Sequence, residues 1–202
     1  MRADAIVFGI AGTLFGLIIG WVLGSQQAAG TARIAAPVAQ SAPAAPGQQQ
    51  APPPTIDPDK VKALQTVAQQ NPKDIQSRVQ LGNMFFDAEQ YQDSIQWYEQ
   101  AVQLNPQDAN VSTDLGVAYY YTNQPDRALA QFDKSLAIDP KHIKTLLNVG
   151  IVRAFGKQDF AGAAKAWEQV ATLAPETPEG QAAKKGLEGL KSAHPEIGGG
   201  GK

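Results

Sequence analysis

The sequence predicts an all-α fold: a stack of helix–turn–helix units, three of them complete, with a helix covering each end. Two observations carry this. A unit of 34 residues is written twice between Ile75 and Pro140. Shifting that stretch along itself puts Leu81-Gly82 on Leu115-Gly116, Phe85 on Tyr119, Tyr98 on Phe132 and Asn105-Pro106 on Asp139-Pro140. A period of roughly 20–50 residues marks a repeat array, whose units bury their apolar faces against one another. Inside each unit apolar residues recur three and four apart, the spacing of one helix face.

The elements follow in chain order. Residues 1–25 read as a membrane anchor, because Ala5 to Gly24 is an uncharged, largely apolar run and about 20 such residues span a bilayer core of about 30 Å. A cleaved signal peptide would have a shorter apolar region behind a clearly positive start. Here Arg2 is offset by Asp4, and Ala28-Ala29-Gly30 is a weak cleavage site. Gly12, Gly16, Gly20 and Gly24 share one face of that helix, a small-xxx-small pattern through which membrane helices pack closely. A second copy of the anchor and another membrane protein fit that face equally well. Arg2 with the amino terminus before the span leans towards a cytoplasmic N-terminus and an exported C-terminal domain. Residues 26–55, rich in Ala, Pro and Gln, lack an apolar period and are expected to be a disordered, extended tether.

Residues 56–194 are the repeat domain. Asp57-Pro58 opens a helix carrying Val61, Leu64 and Val67-Ala68 that stops at Asn71-Pro72, a half unit over residues 57–72. Three full units follow at 73–106, 107–140 and 141–175. Leu81-Gly82, Leu115-Gly116 and Val149-Gly150 stand on the leading helices, and Tyr98, Phe132 and Trp167 on the trailing ones. Each glycine is expected where the two helices of a hairpin touch, with Ser94, Ala128 and Ala163 as small partners opposite and the rings filling the space between hairpins. The third unit closes 35 residues after the second, and the extra residue is expected in the turn around Gly156–Asp159. Thr177-Pro178-Glu179 has the form of a helix start. It opens a capping helix over 177–194, whose Ala183, Leu187 and Leu190 form a narrow apolar face weakened by Gly180, Gly186 and Gly189. Residues 195–202 are a tail.

The Leu-Gly pair, the aromatic, the small residue, the second aromatic and the closing proline resemble the tetratricopeptide repeat family over Asp57 to Pro175. The resemblance implies a solenoid whose leading helices line a concave groove that holds peptides or partner helices. The groove would present Asn83, Phe86 and Asp87 from the first unit and Thr113, Asp114, Val117, Tyr120 and Tyr121 from the second. Lys144, Leu147, Asn148, Ile151 and Phe155 would come from the third. One variant of the family clamps the C-terminal carboxylate of chaperone tails. Asn83 and Lys144 match that clamp, but Val79, Asp114 and Asn148 do not, and Asp114 would repel a carboxylate.

Enzymatic classes find no foothold. There is no cysteine, and only two histidines, His142 and His194, far apart in sequence and without metal-ligand spacing. No glycine loop cradles a phosphate, and no histidine stands beside a nucleophile. A net charge of −2 gives no basic stripe for nucleic acid. No metal or cofactor is expected. The reading is a bacterial, single-pass inner-membrane scaffold with its repeat domain in the periplasm. It would bind a protein or peptide as an assembly factor or an accessory subunit of a membrane complex. Two alternatives stand beside it: a component that self-associates through the glycine face and repeat edges, and a factor like the anchored repeat proteins of cytochrome c maturation.

Overall fold

A computed structural model of the chain describes residues 55–195. The expected anchor with Gly12, Gly16, Gly20 and Gly24, the tether through residue 54 and the end of the tail lie outside the described residues. Among the described residues there are eight helices and no strand, and no helix is long and apolar enough to cross a membrane.

The helices are α1 (Pro58–Gln70), α2 (Ile75–Asp87), α3 (Tyr91–Leu104), α4 (Ala109–Tyr121), α5 (Pro125–Ile138), α6 (Ile143–Ile151), α7 (Phe160–Leu173) and α8 (Pro178–Ala193). Their starts obey a second periodicity inside the first. Asp57, Asp74 and Asp108 sit just before α1, α2 and α4. Their carboxylates accept the Lys60, Ser77 and Val111 backbone N–H groups at 3.2, 2.7 and 3.1 Å. These bonds satisfy donors that a helix start leaves open. In the third unit His142 takes the same register before α6, and its side chain makes no cap bond. Thr177 takes it again before α8 and accepts from Gly180 N–H at 3.1 Å. At the other ends, Pro72, Pro106, Pro140 and Pro175 follow α1, α3, α5 and α7 and block their continuation.

The hairpins α2–α3, α4–α5 and α6–α7 pack on one another in sequence, with α1 on α2 and α8 on α7. The contact that sets each hairpin is a ring laid on a glycine. A Cβ added to Gly82 would meet the Tyr98 ring at 2.5 Å, and one added to Gly116 or Gly150 would overlap Phe132 or Trp167. The glycines therefore admit the large residue of their own hairpin, not the small one. Ser94, Ala128 and Ala163 are fully buried, but the rings are what the glycines face. Phe132 and Trp167 retain 0% and 1% exposure, and burying a ring of this size contributes about 1.5–3 kcal/mol.

The inserted residue of the third unit is also placed differently. Glu89, Asn123 and Gln158 hold equivalent left-handed positions in the three hairpin turns, with φ of 59°, 58° and 55°. The turns are alike; the helix before the third is not. Gln90 N–H returns to the Phe85 carbonyl and Gln124 N–H to Tyr119, whereas Asp159 N–H reaches back one residue further, to Arg153. The slack is a π-helical turn, Val152–Gly156, continuing α6. An insertion there keeps Gly150 in register with Trp167 and lets the turn retain its form. Gly156 in this π turn lies close to Pro125 and Tyr120.

In α8 the buried face is Ala183, Leu187 and Leu190, joined by Gly180 and Gly186. Gly180 lies against the Ala174 carbonyl oxygen, where a methyl group would overlap it. Gly189 is exposed, and a Cβ there would meet nothing within 4 Å.

These two kinds of glycine predict opposite outcomes for one substitution. Gly116→Ala drives a methyl group into the Phe132 ring and is expected to cost about 1–3 kcal/mol through overpacking. Gly189→Ala relieves backbone entropy in an exposed helix and is expected to add about 0.5–1 kcal/mol. Thermal or urea unfolding of the two variants checks the pair, and a shift of the same sign in both contradicts the ring-on-glycine account.

Candidate functional site

The leading helices α2, α4 and α6 carry one row of polar and aromatic side chains, of which Phe86, Val117 and Tyr120 also pack against the core. The row begins where Tyr98 crosses its hairpin. With Gly82 beneath the ring, the phenol reaches α2 from α3, and its hydroxyl donates to Asn83 Oδ1 at 2.7 Å. Asp87 lies one turn beyond Asn83 and close enough to Asp114 of α4 for their charges to repel. On α6, Lys144 Nζ donates to Asp114 Oδ1 at 2.5 Å. Asn148, a turn further on, donates its side-chain amide to the Lys144 carbonyl at 2.8 Å. Asn83, Asp87, Tyr98, Asp114, Lys144 and Asn148 thus form a ridge across three units.

The charges on this ridge are perturbed. Burial pushes the Asp114 carboxyl above the usual carboxylate range, and the adjacent Lys144 ammonium pulls only partly back. Burial also raises Asp87, and the neighbouring Asp114 charge adds to the effect. Tyr98 is raised well above an ordinary phenol, first by burial and then by the two carboxylates. The field on this ridge is negative.

Towards the hairpin turns the row becomes aromatic. Phe86 meets Tyr91 and Tyr121 edge-on, with centroids 5.2 and 5.4 Å apart. Tyr91 and Tyr121 stack at 4.4 Å, and Tyr120 lies edge-on to Tyr121 at 6.3 Å. Offset and edge contacts of this kind favour a fixed cluster over independent rings. Burial raises the Tyr121 phenol strongly and those of Tyr91 and Tyr120 more modestly. On the third unit, Ile151 is half-buried and Phe155 is 37% exposed. Val117 is half-buried against the core, between Asp114 and the tyrosines.

Two residues expected in the groove are removed from it. Thr113 is 0% exposed and Leu147 5% exposed, each on the face of its helix that packs inwards. Thr113 belongs to a buried hydroxyl cluster. Its Oγ1 lies 2.6 Å from that of Thr145 and 2.9 Å from Ser135 Oγ, and it donates to the Ala109 carbonyl at 2.7 Å. His142 closes the cluster, with Nδ1 2.6 Å from Thr145 Oγ1 and Nε2 3.1 Å from Asn110 Oδ1. The cluster ties α4, α5 and α6 together. Its Thr113 and Thr145 are the chain neighbours of Asp114 and Lys144, so it positions the surface ion pair from behind. Leu147 likewise gives its carbonyl to Trp167 Nε1 at 3.1 Å.

Two residues outside the expected set join the row. The repeat pattern accounts for Tyr98 as a packing ring alone and gives Tyr91 no part. Tyr98 differs from Phe132 only by the hydroxyl that reaches Asn83, and that difference between copies was its signal. For Tyr91 the equivalent positions are Pro125, which has no ring, and Phe160, whose ring stacks on His194 instead. Among the described residues no group of three or more His, Asp or Glu side chains comes together to hold a metal.

Comparison with known proteins supplies the family of the repeats. The TPR repeat family model matches residues 82–123, and the tetratricopeptide repeat model matches residues 109–142. No curated protein matches the chain. Among solved structures, the Arabidopsis OM64 TPR domain is 20% identical with a TM-score of 0.53, covering 66% of this chain and 98% of that one. The first TPR of Spaghetti (RPAP3), bound to the HSP90 peptide SRMEEVD, is 22% identical with a TM-score of 0.52, over 68% and 95%. The Sgt2 TPR domain from Aspergillus fumigatus is 23% identical with a TM-score of 0.53, over 72% and 85%. Likeness at these identities carries the fold. Residues 82–142 match tetratricopeptide repeat models, and the described residues form an all-helical solenoid like those structures.

The hydroxyl cluster makes a pH prediction. Asn110 Oδ1 can only accept a hydrogen bond, so Nε2 carries the ring proton and donates to it, which leaves Nδ1 as the acceptor for Thr145. A second proton on the ring turns that acceptor into a donor. Burial, the largest influence, lowers His142 from its ordinary 6.5, against the opposing pull of Asp139, Asp114 and Asp108; Lys144 adds to the lowering. The unfolded chain therefore binds a proton below about 6.5 that the folded chain resists. The contribution to stability is complete above that value and declines as pH falls. Denaturant unfolding from pH 7.5 to 5.5 should show this decline, and His142→Gln should flatten it.

Proposed function

We propose that this chain is a tetratricopeptide adaptor that holds a segment of a protein partner across the outer face of α2, α4 and α6. One observation carries the reading: the copies of the repeat agree where they pack and differ where this face is displayed. Tyr98 with Asn83, the Asp114–Lys144 pair and the Phe86–Tyr91–Tyr121 stack are each confined to one unit or one junction. Aromatic residues and partly shielded polar groups on one rigid surface are the usual makings of a recognition site. The peptide-bound RPAP3 domain is a precedent for ligand binding by a solenoid of this fold.

The adaptor works from a membrane in this proposal. The apolar run from Ala5 to Gly24 anchors it in a bacterial inner membrane, and the Ala/Pro/Gln-rich stretch carries the solenoid into the periplasm. Gly12, Gly16, Gly20 and Gly24 pack the anchor against another helix. The complex assembled or joined there is a membrane protein complex.

Site-specific photocrosslinking tests the face directly. A benzoylphenylalanine at Asn83, Asn148 or Phe155 should trap a protein adduct in membranes, while one at exposed Gln103 or Gln169 on the trailing helices should not. The same adduct from both sets, or none from the first, would sink the proposal.

A further inference from the structure

The ridge carries two carboxylates and one ammonium, and the ammonium is already spoken for. Lys144 is bound to Asp114. Asp87 is half-buried, and among the described residues its carboxylate has no hydrogen bond and no ion pair. Partly removing a carboxylate from water costs free energy that nothing on this face returns. The cost is increased by Asp114, whose charge acts on Asp87. Phe86, the residue before Asp87, places the aromatic stack beside this uncompensated charge. Ring faces attract cations as carboxylates do.

Resting on the adaptor reading above, we infer that the face takes a partner segment bearing a lysine or arginine, seated at Asp87 and Asp114 with its apolar neighbours on Phe86 and Tyr121. Phosphate-rich partners are repelled: Asp87, whose charge nothing on this face offsets, opposes nucleic acid and anionic lipid. Peptides ending in acidic residues are repelled for the same reason. The HSP90 peptide held by the RPAP3 domain, SRMEEVD, is of that acidic-ended class. The face of the present chain has the opposite preference.

The test uses the purified full-length chain and three pools of fluorescein-labelled peptides, read by anisotropy. The pools share a random background of Leu, Phe, Ser and Gly and differ only in a central Arg, Gln or Glu. The Arg pool should bind roughly tenfold or more tightly than the Gln pool, with the Glu pool weakest. Added salt should shrink the Arg advantage. Asp87→Asn, which keeps the shape and removes the charge, should bring Arg and Gln pools within about twofold. An Arg advantage that survives Asp87→Asn and high salt overturns the inference. So do equal Arg and Gln affinities; if Tyr121→Ala weakens both, the adaptor reading stands and only the charge preference fails. Absence of binding by every pool overturns both.

Discussion

The structure depends on a ring seated on a glycine. In each hairpin the trailing helix offers Tyr98, Phe132 or Trp167, and the leading helix offers a backbone with no side chain in the way. The contact does two things. It buries a large apolar area, the main favourable term in folding such a unit. It also fixes the approach of the two helices, because a ring packed this closely on a backbone allows little sliding. Everything displayed by the leading helices takes its position from these three contacts.

Variation is confined to what the contact permits. Tyr98 keeps the ring and adds a hydroxyl that donates to exposed Asn83, so a buried packing residue ties down a side chain of the face. Trp167 keeps the ring and ties its indole N–H to the Leu147 carbonyl. The third unit absorbs its extra residue as a π turn after Gly150, beyond the point where register with Trp167 is needed. That turn brings Gly156 against Tyr120 and fixes one edge of the aromatic row. Between the second and third units the hydroxyls of Thr113, Ser135 and Thr145 replace apolar packing. Satisfied hydrogen bonds are directional where apolar contacts are not. They hold α6 at one setting relative to α4, and the Asp114–Lys144 pair outside them depends on that setting.

The charge pattern on the face follows. Lys144 neutralises Asp114 across a junction held by the hydroxyl cluster, and Asp87, one unit away, is beyond its use. One compensated and one uncompensated carboxylate beside stacked rings are the basis of the charge preference proposed for this face.

The repeat, its helices and their ends were legible in the chain because they rest on local rules: apolar period, prolines that stop a helix, and a glycine recurring in register with a ring. The caps at Asp74 and Asp108 obey the same period and could have been read with it. The face was legible in part. Asn83, Asp87, Asp114, Lys144 and the tyrosines Tyr120 and Tyr121 lie on the leading helices where the spacing puts them. Spacing by itself could not tell Thr113 from Asp114, because adjacent residues of a helix differ by about a quarter turn and only the position of the next hairpin decides which is covered. Nor could it show Tyr98 reaching Asn83, or Tyr91 stacking on Tyr121, since each joins different helices. Local propensity and periodicity, which act along the chain, determined the repeat and its helices. The burial of Thr113 and Leu147, the π turn and the isolation of Asp87 were decided by contacts between helices, which exist only once the units are stacked.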